Sequence, residues 1–172
     1  AVPEFIEIER LSPFQNRSTD VDVIADLMIH DLDLLPRYMP GKLVDVRAKG
    51  VGVTGTQPDI VNVRLEYALY NGRTGVVNMT ASRVSSKSVR TWRLFDPDRY
   101  WRLDLGNHAA TVMAWKDQTM DEQHLLIPQE DALRSEHTAF LGAVREQRPF
   151  PCPGSEALQA LQLAQRIREC LR

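Results

Sequence analysis

Residues 20–35, DVDVIADLMIHDLDLL, set five aspartates and one histidine on a segment with the apolar spacing of a helix. Asp26 and His30 are four apart, which on an α-helix places one above the other on a single face. A carboxylate that accepts a hydrogen bond from an imidazole fixes its tautomer and raises its basicity, one way to prepare a general base. The same spacing suits a structural histidine on a solvated acidic face, and spacing alone leaves both open. Arg17 closes SPFQNR just before the segment, and Arg83 gathers with Lys87 and Arg90 in SRVSSKSVR, residues 82–90. Guanidinium groups there can receive phosphate or carboxylate through paired bonds, and they can equally be the solvated edge of a hairpin.

Three other chemistries are weaker. Gly50, Gly52 and Gly55 in GVGVTG match a dinucleotide fingerprint letter for letter, but that motif works only when a helix N-terminus follows the glycines. Pro58 and another alternating strand follow instead, so the run reads as a strand end and a turn. Asp26, His30, Asp31 and Asp33 could hold manganese or iron, yet His108, His124 and His137 fall in no ligand spacing with them, and no metal is expected. No G-x-S-x-G elbow prepares a serine nucleophile.

The elements that must position these residues follow from hydrophobic period. Ile6 and Ile8 alternate with Glu7 and Glu9 in a first strand. A polar loop then leads into the acidic helix, capped by Asp20 or Asp22, striped by Ile24, Leu27, Met28, Leu34 and Leu35, and ended by Pro36. The period changes to two over residues 43–53, 60–69 and 74–84, with Asn71-Gly72 as a hairpin signal. Shorter strands are expected around residues 89–95, 100–105, 111–115 and 123–127. Helical period returns with Leu133, Phe140, Leu141 and Val144, and again after RPFPCPG with Ala157, Ala160, Leu161, Ala164, Ile167 and Leu171 inward. The expected fold is α+β: a large, mainly antiparallel sheet covered on one face by the acidic helix and the two C-terminal helices. The other face is expected to be open, apolar and used for dimerisation.

Composition bounds the partners. The 172 residues are 43% hydrophobic and 26% charged with a formal charge of -2, an ordinary globular balance without the basic field that nucleic acid requires. No apolar run approaches the roughly 20 residues of a membrane-spanning helix. Cys152 and Cys170 make neither a disulfide framework nor a zinc set, which points to the cytoplasm. The abrupt start, AVPEFIEIERL, suggests a fragment or a processed chain cut at a domain boundary.

Four stretches in order, EFIEIERLSPF, DVDVIADLMIHDLDLL, TASRVSSKSVRTWRLF and PCPGSEALQALQLAQRI, resemble the C-terminal domain of the glucose-fructose oxidoreductase, inositol dehydrogenase and rhizopine-catabolism family. The resemblance is nearest to its UDP-N-acetylglucosamine 3-dehydrogenase-like branch. It implies that residues 1–172 are a substrate-binding and oligomerisation domain whose N-terminal Rossmann partner, holding NAD or NADP, is missing from this chain. By position it makes His30 the active-site histidine and Asp26 its neighbouring carboxylate, with Arg17 and Arg83 as contacts to substrate. The implied reaction oxidises a secondary alcohol of a sugar, nucleotide sugar or cyclitol. The fragment lacks the family's glutamate-lysine-proline element and is expected to be inactive alone. A non-catalytic oligomerisation or ligand-binding module on the same scaffold is the alternative.

Overall fold

The computed structural model describes residues 2–16 and 20–171. Eight strands form one sheet in the order β2-β3-β4-β1-β5-β6-β7-β8. They are β1 (Phe5–Leu11), β2 (Gly41–Val51), β3 (Ile60–Leu69), β4 (Thr74–Ser82), β5 (Val89–Asp96), β6 (Arg99–Asp104), β7 (Ala109–Lys116) and β8 (Thr119–Leu126). The first strand sits in the middle, parallel to β4 and antiparallel to β5, and the remaining neighbours pair antiparallel. The long connection from β1 to β2 carries a π-helical turn (Ile24–Met28) that runs directly into α1 (Ile29–Tyr38). Two further helices, α2 (Ala132–Arg145) and α3 (Gly154–Glu169), close the chain.

The period-two segments set the layers as expected. Ile6, Ile8, Val61, Val63, Leu65, Val77, Met79 and Trp92 turn to one face and are buried beneath the π turn, α1 and α3. At the Asn71-Gly72 turn Gly72 has a φ of 82°, a left-handed conformation that glycine takes without strain, and its N–H donates to the Leu69 carbonyl.

Several expectations need correction. The acidic helix does not stop at Pro36 but continues to Tyr38, because a proline in the last turn forfeits one hydrogen bond while the Met39 N–H still closes onto the Leu35 carbonyl. Its inward stripe is Ile24, Met28, Leu32 and Leu35, whereas Leu34 is exposed. Val44 does not share a face with Val46 and Ala48, since a bulge between Leu43 and Asp45 shifts the register and leaves it exposed.

The helical cover is also smaller than expected. Helix α3 presents Ala160, Ala164 and Ile167 to the core, but Leu161 faces outward. In α2 only Ala143 is buried, and Leu133, Phe140, Leu141 and Val144 are all more than half exposed. That stripe lies largely in solvent. Nor is the open sheet face apolar. The buried residues of β3 and β4 take the helix-side parity, so the other side carries Glu7, Glu9, Arg64, Glu66, Asn78, Arg93 and Arg102, with Phe5, Phe95 and Tyr100 as a short aromatic row. Cross-strand pairs such as Arg93 with Glu7 and Glu9 make this a charged ladder instead of a greasy plane.

Candidate functional site

The helix bearing Asp26 and His30 is fastened at its start by three side chains. Asp22 accepts from the Ala25 N–H at 2.9 Å, satisfying an exposed amide, and the same carboxylate takes a two-point grip from Arg168 of α3 at 2.6 and 3.0 Å. Burial would raise the Asp22 pKa, but the Arg168 and Ala25 hydrogen bonds outweigh it and hold it below the ordinary carboxylate value. The third side chain is Arg83, which donates from Nη1 to the Val21 carbonyl at 2.7 Å.

Arg83 owes its position to Asp59. Both side chains are buried, with Arg83 Nε 2.6 Å from Asp59 Oδ1. The same carboxylate accepts from the backbone N–H groups of Val53 and Thr54 at 2.7 and 2.6 Å and from the Thr54 hydroxyl. Burial pushes the Asp59 pKa up, but the Thr54 amide, Arg83 and the Val53 amide together hold it well below the usual carboxylate range. One consequence concerns the glycine run at residues 50–55. Its loop amides already serve an internal carboxylate, and a Cβ at Gly52 would stand 2.5 Å from the Gly55 carbonyl oxygen. The loop folds on itself and leaves no cradle for a dinucleotide.

A pocket of about 360 Å³ opens beside this pair, lined by Phe14, Asn16, Thr54, Gly55, Thr56, Gln57 and Arg83. Arg17 lies outside the described residues. The basic run of residues 82–90 is divided by the fold. Arg83 faces this pocket, while Lys87 and Arg90 border a different cleft of about 780 Å³ with Glu9, Arg93 and Arg102.

Asp26 is half-buried and His30 is exposed. Among the described residues no side-chain hydrogen bond or ion pair joins either to any partner, so the expected bond between them is not made. Around Asp26 the chain makes a π-helical turn, in which the Ile29 N–H bonds to the Ile24 carbonyl, an i→i+5 closure. Such π turns occur frequently at functional sites. Among the described residues no group of three or more His, Cys, Asp or Glu is placed to hold a metal ion.

Sequence reasoning missed the role of Asp31. Its carboxylate is 1% exposed and accepts from Arg10 Nε at 2.6 Å, Arg10 Nη2 at 2.8 Å and Trp92 Nε1 at 2.9 Å. A signal for it was present. Arg10 follows Ile6 and Ile8 at the inward parity of β1, and Asp31 falls between Met28 and Leu35 on the inward stripe. Two opposite charges, each on a buried face, announce a pair.

No family model matches the chain. Solved oxidoreductases share its fold: an NAD-binding oxidoreductase from Klebsiella pneumoniae (TM-score 0.79, 12% identity, 98% of this chain and 57% of that one) and an aldose-aldose oxidoreductase from Caulobacter crescentus (TM-score 0.77, 13% identity, 98% and 53%). At the level of sequence, the chain is 37% identical over 96% of its length to UDP-N-acetylglucosamine 3-dehydrogenase of Acidithiobacillus ferrooxidans. The structure of that enzyme superposes with a TM-score of 0.88 at 36% identity, covering 99% of this chain. The chain belongs to the C-terminal domain of the glucose-fructose oxidoreductase, inositol dehydrogenase and rhizopine-catabolism family. It spans 54% of the length of this relative.

Proposed function

We propose that the chain is the substrate-binding and catalytic-base half of an NAD(P)-dependent oxidoreductase acting on a secondary alcohol of a sugar or nucleotide sugar. The observation that carries this reading is the 37% identity, over 96% of the chain, to an enzyme named for oxidising UDP-N-acetylglucosamine at carbon 3. Oxidation of a secondary alcohol removes a hydride from carbon and a proton from oxygen, and the residues of this chain fit the proton half. His30 is exposed on the helix and free to accept that proton. Asp26 lies one turn away and would steady the imidazolium that forms, directly or through a bridging water. Arg83 would meet the hydroxyl or diphosphate oxygens of the substrate at the 360 Å³ pocket that it lines, and Arg17, as the family resemblance implies, would be a further substrate contact. The nicotinamide, NAD or NADP, would supply the hydride acceptor. Because the glycine loop here is filled by Asp59, its binding falls to the part of such enzymes that this chain does not match.

Assembly belongs to the same reading. The open sheet face would pair with a second copy through its charged ladder and aromatic row, giving a homo-oligomer in the cytoplasm, where Cys152 and Cys170 stay as free thiols. The test is steady-state kinetics of the full-length enzyme with UDP-N-acetylglucosamine and either nicotinamide. His30→Ala should lower turnover by about two to four powers of ten, with a smaller loss for Asp26→Asn and an unchanged KM for the nicotinamide. Near-normal turnover in a folded His30→Ala enzyme would refute the base and make His30 structural, whereas no turnover by the unaltered full-length enzyme would favour a non-catalytic oligomerisation or binding module.

A further inference from the structure

Asp31 adjoins His30 in sequence but faces the opposite environment. It is the one charged residue on the inward stripe of α1, and three N–H groups converge on its carboxylate from two strands. Two of them come from one guanidinium in the paired geometry that tolerates little rotation. The third comes from Trp92, itself 2% exposed, whose ring also lies 5.4 Å from that of Tyr38 near the end of the same helix. Leucines and methionines along the stripe pack without direction and let a helix roll by small angles, whereas a three-point polar grip does not. A side chain sits roughly 5–6 Å from the axis of its helix, so a roll of about 10° would carry the His30 imidazole about 1 Å sideways. Displacements of that size can cost roughly a hundredfold in rate.

We infer that Asp31, Arg10 and Trp92 are positioning residues that fix the roll of α1 and thereby aim His30 at the substrate hydroxyl. The inference rests on the reading of His30 as the base and goes beyond it by assigning the residues that hold the base in place. None of the three touches the reacting atoms. Their loss is therefore felt in the chemical step and not in the binding of either substrate.

The experiment is a double-mutant cycle in the full-length enzyme. Arg10→Lys keeps the charge and loses the paired donors, and Trp92→Phe keeps an aromatic ring and loses the indole N–H. Each should lower kcat by about ten- to a hundredfold while both KM values stay within about twofold, with the melting transition still cooperative. Combined with His30→Ala, Arg10→Lys should add almost nothing, because a base that is gone cannot be misplaced. A crystal structure of Arg10→Lys should show the imidazole displaced by about 1 Å. Should Arg10→Lys fail to fold, Trp92→Phe carries the cycle. Full kcat in folded Arg10→Lys and Trp92→Phe enzymes, or losses that multiply with His30→Ala, would overturn the inference while leaving His30 as the base. Normal turnover in His30→Ala alone would instead remove the base, and the positioning role with it.

Discussion

Deleting the Asp59 carboxylate, as Asp59→Ala, tests how the pocket wall is held. Arg83 would keep its bond to the Val21 carbonyl but would be left buried without its counter-charge. Breaking one side of a buried pair costs about 3–5 kcal/mol. The amides of Val53 and Thr54 also lose their acceptor, but they lie in an exposed loop where water replaces it. The adjoining pocket lets water approach Arg83, so the lower end applies, about 3 kcal/mol. For a chain of this size that corresponds to a fall in Tm of about 6–12 °C. Urea unfolding followed by circular dichroism gives the free energy directly. The decisive comparison is with Asp59→Ala/Arg83→Met, which removes the stranded charge and should be more stable than Asp59→Ala alone by about 1 kcal/mol or more. Should the double variant instead lose the sum of the two single effects, the pair is not acting as a buried ion pair and the argument fails.

Acid should weaken the fold through Asp59 and Asp22. Both are held below their ordinary pKa in the folded state, so the unfolded chain binds protons more readily. Their stabilisation is complete above about pH 4 and is lost as pH falls below it, and a melting series from pH 6 to 2.5 should show a limb that Asp59→Asn flattens. Leu133→Ser on α2 should change the unfolding free energy measured in urea by less than about 0.5 kcal/mol, since that side chain is already 61% exposed. Gly41→Ala should destabilise by about 1–3 kcal/mol, because its Cβ would meet the Ala68 carbonyl oxygen at 2.5 Å and the Leu69 Cα at 2.9 Å, both backbone atoms that cannot swing aside.

The sequence by itself determined the α+β class, the strands of the sheet and the helix that carries Asp26 and His30. These features rest on local period and turn chemistry, which a chain displays whatever packs against it: Ile6 and Ile8 alternate, and Asn71-Gly72 turns. It also determined that the glycines at 50–55 end a strand, from Pro58 and the alternation beyond it. What only the tertiary structure decided is which partner each face meets. Period two says that one side of β3 is apolar but not which layer lies against it, and so the open face proved charged. Helical period says that Leu133, Phe140, Leu141 and Val144 share a face, but a stripe does not supply its own cover, and within this chain that face remains uncovered. The bond expected between Asp26 and His30 assumed that spacing alone joins two side chains, but a shared helix face does not fix the rotamers that a hydrogen bond needs. The grips of Asp59 on Arg83 and of Arg10 on Asp31 join residues 24 and 21 apart in the chain. No local rule connects them, because the pairing is set by the central place of β1 and by the long connection that lays α1 across it.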